Sequence, residues 1–224
     1  MTKNHLLVIG HRGARGLAPE NTLASLRAAL ECKVDGIEID VRVTADGVAV
    51  LNHDPALHDT KMLITKHRFT ELQAHKQDLT TLEAAIKLVN RTVPLMIEVK
   101  PDTAVLPVAQ VIQHFLANGW QADDFLLGSF SQATLLQLHR ALPHIATVVI
   151  GRFSGVRSTW RARQLATKNI SLSRPSLWWY FIRAMRRGKY RLYVYTLNDP
   201  HKAKQWQRYG LYGVITDFPN RFGR

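Results

Sequence analysis

The sequence feature that most constrains the fold is the stretch 35–41, which reads Asp-Gly-Ile-Glu-Ile-Asp-Val. Side chains alternate across a β-strand, so a strand here places Glu38 and Asp40 on one face and branched apolar side chains on the other. Neighbouring carboxylates repel each other and are costly to bury unpaired. One interpretation is an edge strand with a solvated acidic face. The other is a site for a divalent cation that prefers oxygen ligands, such as Mg²⁺ or Ca²⁺.

Strand-like and helix-like segments alternate along the whole chain. Continuous apolar runs, such as residues 6–9, are typical of parallel strands that are buried on both faces. About eight strand–helix alternations predict a single TIM-barrel domain, a (β/α)₈ barrel over residues 1–224. We expect a short insertion with about one helical turn after the second strand, at about residues 56–79. Residues 152–164 have no clear pattern, whereas residues 177–187 have the pattern of a helix.

Composition limits the class of protein. The chain has one cysteine, Cys32, so an intrachain disulfide is excluded. The apolar run near the N-terminus is too short to be the core of a signal peptide or to span a bilayer. We therefore expect a soluble, cytoplasmic protein without a transmembrane segment. The formal net charge of +13 indicates attraction to nucleic acid, to anionic lipid or to a negatively charged substrate, and charge alone does not choose among them.

Polar side chains are concentrated where the predicted strands end. Besides Glu38 and Asp40, five residues follow or close other strands: His11, Arg12, His53, Glu98 and Lys100. In a (β/α)₈ barrel the C-terminal ends of the strands form the catalytic face, so we expect all of these side chains at one mouth. Any one of them alone has a structural explanation. Packing does not explain such groups at four strand ends, and this favours the cation site over the solvated edge strand.

These side chains can bind a metal ion and a phosphate together. Glu38, Asp40 and Glu98 offer three hard oxygen ligands for one Mg²⁺ or Ca²⁺, with water or substrate completing the coordination shell. The guanidinium of Arg12 can contact a phosphate through two parallel hydrogen bonds, and Lys100 adds a compact positive charge. The set therefore predicts a divalent-cation site next to a phosphate site.

Two histidines complete the predicted site. Imidazole groups exchange protons near neutral pH, so His11 and His53 can serve as general base and general acid. A metal ion, fixed cations and an acid–base pair are the parts needed for attack on a phosphodiester. The residues by themselves thus indicate an enzyme that cleaves phosphodiesters.

Seven short motifs occur in the same order as in a known enzyme family. They are His11-Arg12-Gly13, Pro19-Glu20-Asn21-Thr22, Gly36-Ile37-Glu38-Ile39-Asp40-Val41, His53-Asp54-Pro55, Ile97-Glu98-Val99-Lys100, Ser129-Phe130 and Gly213-Val214-Ile215-Thr216-Asp217. On this ordered set, the chain resembles the glycerophosphodiester phosphodiesterase family over nearly its whole length. The resemblance implies a (β/α)₈ barrel. It also implies metal-dependent hydrolysis of small-molecule glycerophosphodiesters, the deacylated phospholipids, to sn-glycerol 3-phosphate and an alcohol.

The resemblance also implies a role for each residue of the motifs. The implied roles are acid–base catalysis for His11 and His53, metal binding for Glu38, Asp40 and Glu98, and phosphate binding for Arg12 and Lys100. In the mechanism usually proposed for the family, the glycerol hydroxyl next to the phosphate attacks it, and water then opens the cyclic phosphate. Which histidine is the base in the first step does not follow from the sequence.

Two features depart from the family pattern. On the seventh strand, where the family often has tryptophan, this chain has Tyr195, which keeps an aromatic wall and adds a hydroxyl group. The insertion after His53 is short and lacks the usual Arg-Thr-Thr-Asn-Gly run. Because this insertion caps the mouth in the family, the leaving alcohol is not predicted. Glu20 has two interpretations, a residue at the edge of the site or a first-turn carboxylate that the helix dipole favours.

The basic and aromatic segment 178–191 also has two interpretations. Trp178, Ile182 and Met185 lie at helical spacing and would form a stripe that faces the core, with arginines near the helix C-terminus. Alternatively, the arginines and rings contact anionic lipid headgroups, which would suit a lysophospholipid substrate.

Two further functions are considered from the sequence. One is a lysophospholipase D or a related phospholipid hydrolase on the same scaffold. The other is a basic nucleic-acid-binding module. The chain lacks an RNA-recognition signature and a zinc-finger pattern, and its carboxylates would repel phosphates unless a metal is bound. Nucleic acid is therefore not the expected partner.

Overall fold

Eight apolar runs form the parallel strands of a closed barrel in the computed structural model, which describes residues 5–101 and 103–223. The strands of this part of the chain are β1 (Leu7–His11), β2 (Gly36–Val43), β3 (Ala49–Leu51), β4 (Leu95–Val99), β5 (Phe125–Ser129), β6 (Ala146–Gly151), β7 (Asn169–Ser173), β8 (Arg191–Tyr195) and β9 (Gly213–Thr216). All except β3 are parallel neighbours in chain order, and β1 pairs with both β2 and β9, which closes the barrel. The predicted (β/α)₈ architecture is confirmed.

Helices connect the strands on the outside of the barrel and in the insertion. They are α1 (Leu23–Glu31), α2 (Phe69–His75), α3 (Leu82–Val89), α4 (Val105–Ala117), α5 (Gln132–Ala141), α6 (Gly155–Gln164), α7 (Trp179–Arg187) and α8 (Pro200–Tyr209). A capping box fixes the start of α1, because the Thr22 hydroxyl accepts from the Ser25 amide and the Ser25 hydroxyl accepts from the Thr22 amide. In the ranges that the structure describes, no helix is both long enough and apolar enough to cross a bilayer.

Alternation along the strands separates two apolar layers. On β2, Ile37, Ile39 and Val41 are fully buried between the barrel and the helices, whereas Glu38 and Asp40 face the barrel interior. A smaller apolar cluster fills the interior itself: Ile9, Met96, Val148, Tyr193 and Ile215. Because this cluster lies one step before the polar residues along the strands, it forms a floor under them and leaves them at the C-terminal mouth.

The insertion after β2 is more structured than predicted. The run 48–51 contains β3, which pairs antiparallel with the end of β2 as a hairpin and does not join the barrel. The insertion then contains a 3₁₀ helix, Ile64–Lys66, and the two turns of α2, where about one helical turn is expected from the sequence. These elements bury an apolar cluster of their own: Val50, Leu57, Ile64, Leu72 and Leu79. The apolar residues are too widely spaced along the chain to show this packing as a helical period.

Two helices near the basic part of the chain differ from the prediction. Helix α6 covers a segment without a clear pattern, because its apolar residues Val156 and Trp160 are exposed and mark no buried stripe. The prediction that Trp178 shares a core-facing stripe with Ile182 and Met185 is wrong for Trp178. It is the N-cap residue before α7 and is 58% exposed, whereas Ile182 and Met185 are buried.

Candidate active site

Parallel pairing brings the polar strand ends to one level of the barrel. In the register of β1 with β2, His11 lies opposite Glu38. In the register of β2 with β4, Asp40 lies opposite Glu98. All four side chains are buried at the mouth. The sequence dictates this arrangement through strand alternation, since each of these residues occupies an inward-facing position near a strand end.

Three carboxylates meet in this group. Glu38, Asp40 and Glu98 each offer one oxygen atom, and these atoms lie within 4.8 Å of one another. Burial raises the pKa of Glu38 well above its usual value, and repulsion from Asp40 and Glu98 adds to the shift. Burial and the charge of Asp40 also raise the pKa of Glu98. Buried oxygens that repel one another suit a hard divalent cation, so this donor set fits Mg²⁺ or Ca²⁺.

Two basic side chains lie against these carboxylates. Lys100 Nζ is 2.5 Å from Asp40 Oδ1 and 2.5 Å from Glu98 Oε1. Arg12 Nε is 3.1 Å from Asp40 Oδ2, and Arg12 Nη1 donates to Glu20 Oε1 at 2.7 Å. Although burial raises it, the pKa of Asp40 stays below its usual value because of the charges of Lys100 and Arg12. Phosphate binding by Arg12 and Lys100 stays a prediction.

The loop between β1 and α1 positions two of the carboxylates. The Arg12 amide donates to Glu38 Oε2 at 3.0 Å. The Asn21 side chain donates to Asp40 Oδ2 at 3.0 Å and accepts from the Asp40 amide at 3.1 Å. Arg12 and Asn21 both have left-handed backbone conformations, with φ of 51° and 58°. The sequence identifies Asn21 only as a member of the motif Pro19-Glu20-Asn21-Thr22, and it does not show the contact with Asp40.

A chain of hydrogen bonds orients His11. Its Nδ1 lies 2.6 Å from Asp217 Oδ1, and because a carboxylate only accepts, we assign the proton to Nδ1. Nε2 then faces the carboxylates, 4.0 Å from Glu38 Oε2. Asn198 donates to Asp217 Oδ2 at 2.9 Å. Although burial raises it, the pKa of Asp217 is held below its usual value by the hydrogen bonds from His11 and Asn198.

His53 reaches the mouth from the insertion and not from a barrel strand. It follows β3, and its backbone carbonyl accepts from Nε and Nη2 of Arg42 at 3.1 and 2.9 Å. Its Nδ1 lies 2.7 Å from Asp54 Oδ1. Burial lowers the pKa of His53, the negative charge of Asp40 opposes this shift, and the positive charge of Lys100 adds to it.

Both histidines line one cleft of about 190 Å³ at the barrel mouth. Its other functional walls are formed by the three carboxylates, Arg12, Phe130, Arg152 and Tyr195. Sequence reasoning missed Arg152, Asn198 and Asp217 as site residues. The other site residues were identified because they lie at or just after the end of a strand, and these three share that position: Arg152 follows β6, Asn198 follows β8 and Asp217 follows β9.

Of the two residues predicted at the edge of the site, Tyr195 forms part of the cleft wall and Glu20 lies outside it. The Tyr195 ring meets Phe130 edge-on with 6.2 Å between ring centres, and its hydroxyl donates to the Gly151 carbonyl at 2.9 Å. That hydroxyl is therefore occupied by the backbone. Glu20 lines a neighbouring hollow of about 840 Å³ between the mouth and the insertion.

The chain is similar to proteins of one family over nearly its whole length. The model of the glycerophosphoryl diester phosphodiesterase family matches residues 11–221. A glycerophosphodiester phosphodiesterase from Bacillus subtilis is 26% identical, with 99% of this chain and 87% of that protein covered. One from Bacillus altitudinis is 25% identical, with 96% and 95% covered. The structure of a phosphodiesterase from Oleispira antarctica, in complex with the product sn-glycerol-3-phosphate, has a TM-score of 0.86 at 26% identity and covers 96% of this chain and 94% of that chain.

Proposed function

Because this chain belongs to the glycerophosphoryl diester phosphodiesterase family, we propose that it hydrolyses glycerophosphodiesters to sn-glycerol 3-phosphate and an alcohol. The observation that carries the proposal is the convergence of three buried carboxylates beside His11 in one cleft at the barrel mouth. The product in the Oleispira antarctica complex supports sn-glycerol 3-phosphate as the product here. The predicted enzyme class, a phosphoric diester hydrolase, is confirmed by the family match.

The residues that would hold the divalent cation are Glu38, Asp40 and Glu98. When bound there, Mg²⁺ or Ca²⁺ supplies positive charge that stabilises the phosphoryl oxygens during attack. The raised pKa of Glu38 supports this role, because burial and its acidic neighbours leave that carboxyl short of positive charge. Arg12 lines the cleft and is proposed to bind the phosphate, whereas Lys100 contributes its charge through Asp40 and Glu98.

The contact with Asp217 suits His11 to the role of general base in the first step. Nε2 takes the proton of the glycerol hydroxyl as that oxygen attacks phosphorus, and Asp217 stabilises the imidazolium that forms. Although burial lowers the pKa of His53, its hydrogen bond to Asp54 favours the protonated form, which gives its proton to the leaving oxygen as the bond to phosphorus breaks. In the second step the roles reverse. The oxygen of water attacks the phosphorus of the cyclic phosphate as His53 takes a proton from it, and the bond from phosphorus to the glycerol oxygen that attacked first breaks as His11 returns a proton to that oxygen.

A second candidate function is a lysophospholipase D-type reaction on the same scaffold. The exposed rings of residues 178–180 favour it, because the acyl chain of a lysolipid needs apolar surface near the mouth. We further propose a cytoplasmic location, a role in lipid metabolism and peripheral contact of the segment 178–191 with anionic lipid. The four arginines, one lysine and five aromatic residues of that segment support the last point.

One assay separates these functions. Release of glycerol 3-phosphate, lysophosphatidic acid or free alcohol is measured from a panel of glycerophosphodiesters and lysophospholipids, with Mg²⁺, with Ca²⁺ and with EDTA. The proposal expects metal-dependent release of glycerol 3-phosphate from at least one soluble diester. Turnover of lysolipids alone would select the second candidate, and no turnover of either class with any metal would contradict both.

A further inference from the structure

Large apolar side chains are exposed together on one part of the surface, which we call the aromatic rim. It consists of Phe153, Val156, Trp160, Trp178, Trp179 and Tyr180. Each of these side chains is between 51% and 87% exposed, and among the other large apolar residues that the structure describes only Leu106 is more than half exposed. Soluble proteins rarely gather so much apolar surface in one place unless it binds something.

Contacts between α6 and α7 make the rim one surface. Phe181 of α7 packs on Gly155 at the start of α6, where an added Cβ would lie 2.3 Å from the ring. The Ser176 hydroxyl donates to the Arg152 carbonyl at 2.6 Å and ties together the two loops that precede these helices. Trp178 and Tyr180 stack with 5.2 Å between ring centres. The exposed rings therefore belong to a fixed part of the fold.

The rim lies beside the active-site mouth. Arg152 lines the catalytic cleft and also lines an adjoining hollow of about 650 Å³. Phe153 and Trp160 of the rim line the same hollow, and the Arg152 guanidinium lies 5.9 Å from the centre of the Phe153 ring. A surface that binds the rim would thus border the opening of the cleft.

The rim lies in the part of the chain that carries the net charge. Residues 125–198 contain twelve Lys and Arg residues and neither Asp nor Glu, so the remaining 18 cations nearly balance all 17 carboxylates of the chain. Arg183 lies 5.2 Å from the centre of the Trp179 ring, which places a cation directly against the rim. Three further arginines of α7 and α8 join it around one surface hollow: Arg186, Arg187 and Arg208.

We propose that the aromatic rim docks this protein on the surface of an anionic lipid membrane, with the catalytic mouth at the edge of the contact. Tryptophan and tyrosine rings are favoured at the boundary between headgroups and acyl chains, and arginines beside them attract anionic headgroups. The combination of half-exposed rings with an unbalanced positive charge matches both parts of such a surface. The docking does not depend on the identity of the diester that the cleft hydrolyses.

Tryptophan fluorescence of the full chain tests the docking directly. Three of the five tryptophans lie in the rim, whereas Trp120 is half-buried and Trp206 is buried. Vesicles of phosphatidylcholine with phosphatidylglycerol should shift the emission to the blue, and brominated acyl chains should quench it. Vesicles of phosphatidylcholine alone should have a much weaker effect. Absence of quenching with the anionic vesicles would overturn the proposal.

Two variants with matched controls locate the contact. In the first, Arg183, Arg186 and Arg187 are replaced by Gln, and the vesicle partition coefficient should fall roughly a hundredfold, since each cation near an anionic surface contributes about fivefold. Its control replaces three exposed cations outside the rim, Arg27, Lys33 and Lys66, by Gln. The control tests whether overall charge alone is responsible, and equal losses in both variants would overturn the proposal.

The second variant carries Trp160→Ser and Trp178→Ser, and its control is Leu106→Ser on α4, another exposed apolar residue. The rim variant should lose vesicle binding at least tenfold, and the control should keep it. The rim variant and its control should both hydrolyse a soluble diester such as glycerophosphoethanolamine at the wild-type rate. That activity also shows that both proteins are folded. If wild type hydrolyses no diester but binds vesicles through the rim, the proposed function fails and the docking stands.

Two other occupants of the rim are distinguished by the same proteins. If wild type self-associates through the rim and both variants are monomers that bind vesicles like wild type, the rim is a contact between copies. If wild type binds single-stranded RNA or duplex DNA through the rim, with a steep loss in salt, and ignores vesicles, the partner is nucleic acid. Either result would overturn the membrane proposal. Vesicle binding that both rim variants lose and both controls retain would support it.

Discussion

Asp217 lies 206 positions from His11 in the sequence, yet it decides which nitrogen of the imidazole faces the cleft. Replacing Asp217 by Asn removes the carboxylate that fixes the proton on Nδ1 and that stabilises the imidazolium. We expect kcat on a natural glycerophosphodiester to fall by ~10²-fold or more, with KM nearly unchanged, because the loss concerns the transition state. Steady-state kinetics of Asp217→Asn measure both constants.

Asp199 offers a matched control for this substitution. Its carboxylate caps α8 by accepting from the His201 amide at 2.9 Å, and Asn is an equally good cap. Asp199→Asn should therefore keep wild-type kinetics. The positioning role of Asp217 is wrong if the two variants have the same kcat.

The lowered pKa of Asp217 also predicts a pH dependence of stability. A carboxylate whose folded pKa is lowered stabilises the fold above its unfolded pKa of about 3.9. This contribution is lost as the pH falls from there through the lower folded pKa. Between these two values, the free energy of unfolding of wild type should fall more steeply with decreasing pH than that of Asp217→Asn. Urea titrations at several pH values measure the difference, and parallel curves would contradict it.

The two histidines should respond differently to the leaving group. Replacing His11 or His53 by Ala removes a proton-transfer group, so each rate on a natural diester should fall by ~10²–10⁴-fold. A nitrophenolate leaving group needs little protonation. It should rescue the variant that lacks the acid, which we propose to be His53→Ala, far more than the variant that lacks the base, His11→Ala.

Rate constants of both variants on both substrates decide these roles. The control is His139→Ala, which removes an exposed histidine of α5 and should have no effect on either substrate. Stronger rescue of His11→Ala would reverse the assignment of acid and base. Near-wild-type rates of both variants on the natural diester would exclude the pair altogether.

At this scale, the sequence predicts which side chains reach the mouth better than it predicts what they contact. Alternation and strand ends identify Glu38, Asp40 and Glu98 because these depend only on local periodicity. The contact between His11 and Asp217 depends on closure of the barrel by β1 and β9, which local periodicity does not contain. For Lys100 the sequence indicates a positive charge at the mouth, but it does not show that the Nζ atom lies 2.5 Å from both Asp40 and Glu98.

At the scale of single elements, the loop between β1 and α1 is the most constrained part of the site. Gly13 has a φ of 83°, and its amide donates to the Glu38 carbonyl at 3.2 Å. An added Cβ would lie 2.4 Å from Ser25 Oγ, so Gly13→Ala combines backbone strain with a collision. We expect it to lower the free energy of unfolding by about 2–6 kcal/mol, as strain and overpacking each typically cost about 1–3 kcal/mol.

Gly47→Ala is the control for Gly13→Ala. Gly47 has the same φ of 83°, but nothing lies within 4 Å of an added Cβ. This variant should show only the cost of the left-handed conformation, about 1 kcal/mol. Urea denaturation of both variants separates the two effects. An equal cost at both sites would mean that the packing of Gly13 against Ser25 contributes nothing.

Sequence periodicity identifies a helix when its apolar residues are buried, and it does not identify one when those residues are exposed. Helix α3 buries a periodic apolar face, which is the pattern that local sequence periodicity detects. In α6, Val156 and Trp160 are exposed, so the rule that apolar means buried gives no helical stripe. For Trp178 the same rule gives the opposite error. Its spacing from Ile182 predicts a buried side chain, but the structure exposes it.

At the scale of the whole molecule, acidic and basic side chains are concentrated in different parts of the chain. The carboxylates at the mouth come mainly from the first four strands, whereas residues 125–198 carry only cations. The number of strands could be predicted because each is an apolar run between turns. Their register, which brings Asp40 beside Glu98, depends on contacts between distant segments and could not be predicted.

Metal removal tests the barrel as a whole, because Glu38, Asp40 and Glu98 come from two different strands and are proposed to bind one ion together. Chelation should abolish turnover, and Mg²⁺ or Ca²⁺ should restore it. At an ion concentration 100 times Kd, binding stabilises the fold by about 2.7 kcal/mol, which raises Tm by roughly 5–11 °C in a protein of this size. Glu38→Gln should lose this increase, whereas Glu83→Gln, at an exposed carboxylate of α3, should retain it. Full activity in excess EDTA after verified metal removal, or an equal increase in Tm for both variants, would rule out the three-carboxylate site.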